Sequence, residues 1–318
     1  MESNLEKANE CPQTFSNNAD ELDIREIFIA IWQGKWLIIL ITACFAIASV
    51  FYAVNQPNIY KSEALLAPVE QDSKSGLGAL AGQFGGLASL AGVNLGINSR
   101  VDKTKMALAV LKSRQFVGNF IEKHGILPEL MAVKSWDKNT NSLIYNEDLF
   151  NPATNDWLND PASPDALKPS KQKAYKVFTN IFNTEVSSDT GMVILSVEHV
   201  SPYIAQQWVN WLVADINEAM KERDVIEANE STQFLTAQLE QTKVADIRSV
   251  LYKLVEEQAK TIMFANVRDE YVFKTIDPAV VPELKFKPKR ALICVLGVIL
   301  GGMVSVFFVL THYFIRRS

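Results

Sequence analysis

Residues 36–54 read WLIILITACFAIASVFYAV, without a single charge. Near the other end, residues 291–315 read ALICVLGVILGGMVSVFFVLTHYFI, with His312 as the only side chain that titrates near neutral pH. A helix needs about 20 mostly apolar residues to cross a hydrocarbon core, and both stretches have that length. Two crossings return a chain to the side it left. Residues 55–290 are therefore expected to form one extramembrane domain, with a tail (1–35) and a short end (316–318) on the opposite face. A secretory signal would follow a basic stretch at the N-terminus, whereas residues 20–26 (DELDIRE) are mostly acidic. Neither span carries the polar stripe of an ordinary core helix. Charge leaves the orientation open. Arg25, Lys35, Arg316 and Arg317 favour one side, and Lys285, Lys287, Lys289 and Arg290 favour the other.

Working outward from the first span, DELDIREIFIAIWQGK (20–35) has apolar residues near helical spacing and Asp20 as a candidate N-cap. It reads as an amphipathic helix at the membrane interface. Beyond the span, Pro57 ends the helix and NIYKSEALLAPV (58–69) reads as a strand. Residues 76–96 (GLGALAGQFGGLASLAGVNLG) carry half of the 14 glycines and no charge. This segment reads either as a flexible loop or as an apolar surface for lipid or neighbouring subunits. No phosphate-loop pattern is present.

Residues 101–123 have the period of one amphipathic helix, and 171–182 of another. Between them, 127–169 reads as loop with short helices. TEVSSDTGMVILSVEHV (184–200) reads as a hairpin turning at Asp189-Thr190-Gly191, and Ser201-Pro202 suits a helix start. From Tyr203 to Asp277 there is neither glycine nor proline. As one rod, residues 203–267 would reach roughly 100 Å. If EYVFKTID (270–277) is a strand of the same sheet, the helix must double back, giving a helical hairpin on a small mixed sheet. The position of the turn is not legible.

Pro278, Pro282 and Pro288 exclude helix from DPAVVPELKFKPKR (277–290) and favour an extended, semi-rigid connection into the second span. Inside that span, Gly297 and Gly301 have the GxxxG spacing that lets membrane helices approach closely. Their partner could be the first span, another subunit or another protein. These five residues are the candidates for membrane coupling and helix packing.

Enzymatic signatures are missing. His124, His199 and His312 lie on separate elements, no HExxH or GxSxG pattern occurs, and the carboxylates fall mainly on polar helix faces. Cys11 lies in the tail and Cys44 and Cys294 in the spans, so the domain has neither a disulfide nor a thiolate metal site. With a net charge of −5 and no basic stripe, nucleic-acid binding is not expected. No catalytic, cofactor-binding or metal-ligating residues are assigned.

In order and spacing, several segments together resemble the Wzz chain-length determinant family, the polysaccharide co-polymerases of bacterial inner membranes. They are DELDIREIFIAIWQGKWLII (20–39), IYKSEALLAP (59–68), GALAGQFGGLASLAG (78–92), TGMVILSVEHVSPYIAQQWVNWLV (190–213), LYKLVEEQAKTIMFANVRDEYVFKTIDPAVVPE (251–283) and PKRALICVLGVILGG (288–302). Residues 127–170 carry no part of the resemblance. The resemblance implies an α+β membrane protein: two transmembrane helices (36–54 and 291–315) flanking a periplasmic mixed α/β base (55–200 and 268–290) with a long helical arm (about 203–267). It also implies a homo-oligomer, partnered by a membrane polysaccharide polymerase and a lipid-linked glycan. Such a protein is not an enzyme; it sets the modal length of O antigen or a related surface polymer. With no Walker motif before Ser318, the chain resembles the kinase-free class. The competing expectation is a periplasmic adaptor of an export system, a group that normally has one span and a paired half-motif domain flanking its hairpin.

Overall fold

The computed structural model describes residues 32–69, 99–158 and 168–317. The glycine-rich segment and most of the interfacial helix expected at 20–35 lie outside the described residues. The chain divides into two compact units. One holds the apolar helices, and the other spans Pro57–Pro288.

In the first unit, α1 (Lys35–Asn55) and the last helix, Arg290–Arg317, contain the two apolar stretches. Their mean hydropathies are 2.6 and 2.7, and only 6% and 17% of the apolar windows are buried. A core helix of a soluble protein would be mostly buried; these two are exposed, and long and apolar enough to cross a membrane.

The second unit is organised around a four-stranded sheet in the order β6-β7-β1-β8. Its strands are β1 (Tyr60–Pro68), β6 (Phe182–Val186), β7 (Val193–His199) and β8 (Phe273–Asp277). All three pairings are antiparallel, which corrects the expectation of a mixed sheet. Ser62, Ala64 and Leu66 alternate inward along β1 opposite Val197, Leu195 and Val193. Gly191, at φ 67°, supplies the left-handed turn of the β6–β7 hairpin.

The helix expected over 101–123 is two: α2 (Ser99–Leu111) and α3 (Arg114–His124). Ser113 is extended and accepts a hydrogen bond from the Phe116 amide, capping a new helix where the apolar period alone would continue the old one. The Tyr175 hydroxyl donates to the freed Lys112 carbonyl at 2.9 Å. Helix α3 ends at Gly125, φ 62°.

Residues 127–158 differ more from expectation. One short helix, α4 (Leu127–Met131), is followed by two small hairpins: β2 (Val133–Asp137) with β3 (Ser142–Tyr145), and β4 (Phe150–Asn151) with β5 (Asp156–Trp157). Asn141 and Asn155 turn them with positive φ. The strands are too short for an alternating pattern to stand out, and their pairing rests on aromatic contacts, among them Tyr145–Phe150 and Phe150–Trp157.

Helix α5 (Lys171–Ile181) starts at the Ser170 cap. After β7 the chain forms α6 (Pro202–Gln241), about 60 Å long, then α7 (Ala245–Val267), which returns beside it. The turn is Thr242-Lys243-Val244, in extended conformation at both ends, and it contains no glycine or proline. The lower half of α6 buries Trp208, Val209, Leu212 and Ile216 completely and packs on β1 and β7. Beyond Met220 its one buried residue is Ala228, so the upper half is an arm rather than a core element.

Candidate membrane-coupling site

Within the unit of apolar helices, α8 (Arg290–Arg317) lies against α1 in antiparallel fashion. A Cβ placed on Gly297 would collide with the Ser49 side chain, and one on Gly301 would fall 2.6 Å from the Phe45 Cβ. One turn further on, fully buried Ser305 comes within 3.5 Å of the Thr42 hydroxyl. Residues 297, 301 and 305 thus form a small-residue stripe on which the first span sits at close range. On the far side of the helix, a Cβ on Gly302 would meet nothing within 4 Å.

In the other unit, the segment after β8 is fastened to the sheet domain. Ala279 is buried, and its carbonyl accepts from the Gln206 side chain at 2.9 Å. The next carbonyl, of Val280, accepts from the Ser62 hydroxyl at 2.8 Å. Ile59 and Lys287 form an antiparallel bridge, and Lys287 pairs with Glu198 at 2.6 Å. Pro278 lies just before the buried anchor, Pro282 just before a bend at Glu283-Leu284, and Pro288 just after the bridge. The segment is non-helical, as the prolines require.

Two polar residues that carry this architecture were not singled out from the sequence. Asn217 is buried in the apolar stripe of α6. Its Oδ1 accepts from the amides of Val272 and Phe273 at 2.8 and 2.9 Å, and its Nδ2 donates to the Phe273 carbonyl at 3.0 Å. It clips the chain returning from the arm onto the helix that began it. The available signal was an amide directly after Leu212 and Ile216 and before Met220, where helical spacing calls for an apolar residue.

His199, at the end of β7, is 7% exposed. Its Nδ1 accepts from the Ser201 amide at 3.1 Å, and its Nε2 lies 3.2 Å from the Glu129 carbonyl, to which it donates. The ring packs against Trp208. Burial holds the imidazole neutral, with its pKa pushed down to about 4. Burial also pushes the nearby Glu129 carboxyl up. An unfolded chain protonates this histidine below about pH 6.5, whereas the folded chain resists until about pH 4. Stability is thus fully present above pH 6.5 and is lost as pH falls through that window, by about 3 kcal/mol. Urea unfolding of the full chain should show the loss between pH 7 and 4, and His199→Asn should flatten the slope. A slope unchanged by the substitution would refute the assignment.

Among the described residues, no group of three or more His, Cys, Asp or Glu side chains is placed to hold a metal ion. His124 instead stacks on Trp211 and meets Asp215 at 2.8 Å, in a pair also joined by Lys123. Both hydrogen bonding and the Asp215 charge raise the Lys123 ammonium. The cluster ties α3 to α6.

Comparison with known proteins gives two family matches. Residues 20–124 match Wzz, "Chain length determinant protein", and residues 234–314 match GNVR, "G-rich domain on putative tyrosine kinase". The first contains α1, β1, α2 and α3; the second contains the end of α6, all of α7, β8, the proline segment and most of α8. Residues 125–233, including the two small hairpins, lie outside both. Among curated proteins none matches in sequence. Several solved structures are similar, among them the following two. A "full-length bacterial polysaccharide co-polymerase" aligns over 93% of this chain and 99% of its own, at 12% identity and a TM-score of 0.40. A fragment of WzzB, a polysaccharide co-polymerase from Salmonella Typhimurium, aligns over 72% and 99%, at 12% identity and a TM-score of 0.28. The chain thus carries a Wzz chain length determinant domain over residues 20–124 and a GNVR domain over residues 234–314, which together take in both apolar helices and the strands next to them.

Proposed function

We propose that this chain is a bacterial inner-membrane protein whose Pro57–Pro288 unit stands in the periplasm as a homo-oligomer. It holds a membrane polysaccharide polymerase and its lipid-linked glycan together, so that assembly geometry sets how many units are added. In this reading it has no catalytic activity, and the polymer is O antigen or a related surface glycan. The observation that carries the scaffold is the arm. Phe234, Val244, Ile247 and Val267 are 65%, 55%, 50% and 77% exposed along α6, its turn and α7. A monomer gains nothing from so much unburied apolar surface on a slender hairpin, whereas side-by-side copies would cover it. Pro278, Pro282 and Pro288 keep the domain's last segment from coiling into the second span. Gly297 and Gly301 lock that span to the first, so both enter the membrane as one element toward the polymerase.

Deletion of the gene followed by gel display of surface polysaccharide tests the reading. The expected result is a changed length distribution with unchanged sugar composition. A helical hairpin also suits a periplasmic adaptor, and complete loss of surface polymer would favour that reading.

A further inference from the structure

Just before the second span, the chain makes a bend that exposes apolar residues. Leu284 is 85% exposed and Phe286 39% exposed, with Lys285 exposed between them. The bend does not dangle. The Phe286 amide donates to the Ile59 carbonyl at 2.8 Å, the Ile59 amide donates to the Lys287 carbonyl at 2.9 Å, and Lys287 is held by Glu198. Two ammonium groups flank the Phe286 ring, Lys61 at 5.4 Å and Lys287 at 5.2 Å from its centre. A fixed leucine and phenylalanine stand beside exposed Lys285 and beside Lys61 and Lys287, which are paired with Glu63 and Glu198. Glu283 is the acidic group of the bend itself, and apolar bodies next to cations suit the bilayer interface. Apolar bodies favour the acyl boundary, and cations favour lipid phosphates. Sequence position agrees. Leu284 precedes the first residue of α8 by six positions, a reach of no more than about 20 Å even when fully extended.

We infer that the bend at Pro282–Lys287 is a docking strap for anionic phospholipid, with Leu284 and Phe286 entering the interface and Lys61, Lys285 and Lys287 meeting phosphates. The inference needs the chain to span a membrane but not that it regulates glycan length. It also gives a purpose to the basic cluster beside the span, which charge counting alone cannot reconcile with the domain's proposed side.

The test uses the full chain, with Cys11, Cys44 and Cys294 changed to serine and a single environment-sensitive fluorophore on Leu284→Cys. A second version carries it on Val267→Cys, on the arm. Each is reconstituted in nanodiscs of phosphatidylcholine, with or without one third phosphatidylglycerol, containing spin-labelled lipid quencher. The label at 284 should be quenched severalfold more than at 267, and more strongly with phosphatidylglycerol. Lys61→Gln with Lys285→Gln should remove most of that increment, since each lysine near an anionic surface is worth about fivefold in local affinity. Equal quenching at 284 and 267 would overturn the strap. A blue-shifted but unquenched label at 284 would overturn it in favour of a protein neighbour, such as a second copy. Strong quenching indifferent to phosphatidylglycerol would overturn the role of the lysines.

Discussion

Asn217→Ala is expected to cost the sheet domain about 3–5 kcal/mol, the largest effect of any polar substitution considered. The side chain satisfies two buried amides and one buried carbonyl on the segment Val272–Phe273. Removing it breaks three hydrogen bonds at a buried position, and each buried group left unsatisfied costs about 1–3 kcal/mol. Phe273 is itself fully buried and opens β8, so the loss falls where the arm's return chain joins the sheet. For a unit of this size, the apparent melting temperature of the purified full chain should fall by about 10 °C. Asn210→Ala, on the exposed side of the same helix, should leave it within a degree or two. Equal effects would show that the amide is not a clip. Because β8 leads through the proline segment to the second span, Asn217→Ala should also disturb glycan length at temperatures where the protein remains abundant.

Leucine at both Gly297 and Gly301 should force the two membrane helices apart. The first added Cβ meets Ser49, the second lies 2.6 Å from the Phe45 Cβ, and helix backbone stands behind both. Overpacking of this kind typically costs about 1–3 kcal/mol per site, and two sites on one stripe leave no local repacking that spares the contact. Disulfide trapping between cysteines placed on the two spans should lose most of its yield. The surface-polysaccharide ladder should shift or broaden. Gly302→Leu faces open space and is the silent control. A ladder unchanged by the double substitution, with trapping lost, would mean that the pairing of the spans plays no part in length control.

The two substitutions differ in how legible their sites were. GxxxG spacing within a long apolar run is a local pattern, so Gly297 and Gly301 could be named from the sequence, although three partners remained open. Asn217 was passed over because its value lies in atoms 55 and 56 residues away along the chain. His199 was seen as one of three scattered histidines; its buried, neutral state depends on Trp208 and the Glu129 carbonyl closing over it.

The sequence by itself determined the two apolar helices, the strand after the first, the β6–β7 hairpin and the existence of a long helical segment. Each of these follows from a local period, a run length or a turn residue, which operates within a few neighbouring positions. Only the tertiary structure decided the rest. A Ser113 cap, supported by a tyrosine from another helix, splits a continuous apolar period in two. Aromatic contacts stabilise strands of two to five residues that no period could reveal. The turn of the arm falls at Thr242-Lys243-Val244, without the glycine or proline that marks turns elsewhere. The antiparallel order β6-β7-β1-β8 sets β1, which follows the first span, beside β8, which leads to the second. That pairing joins residues some 200 positions apart, and it is selected by the packing of α6 across the sheet rather than by any signal in either strand.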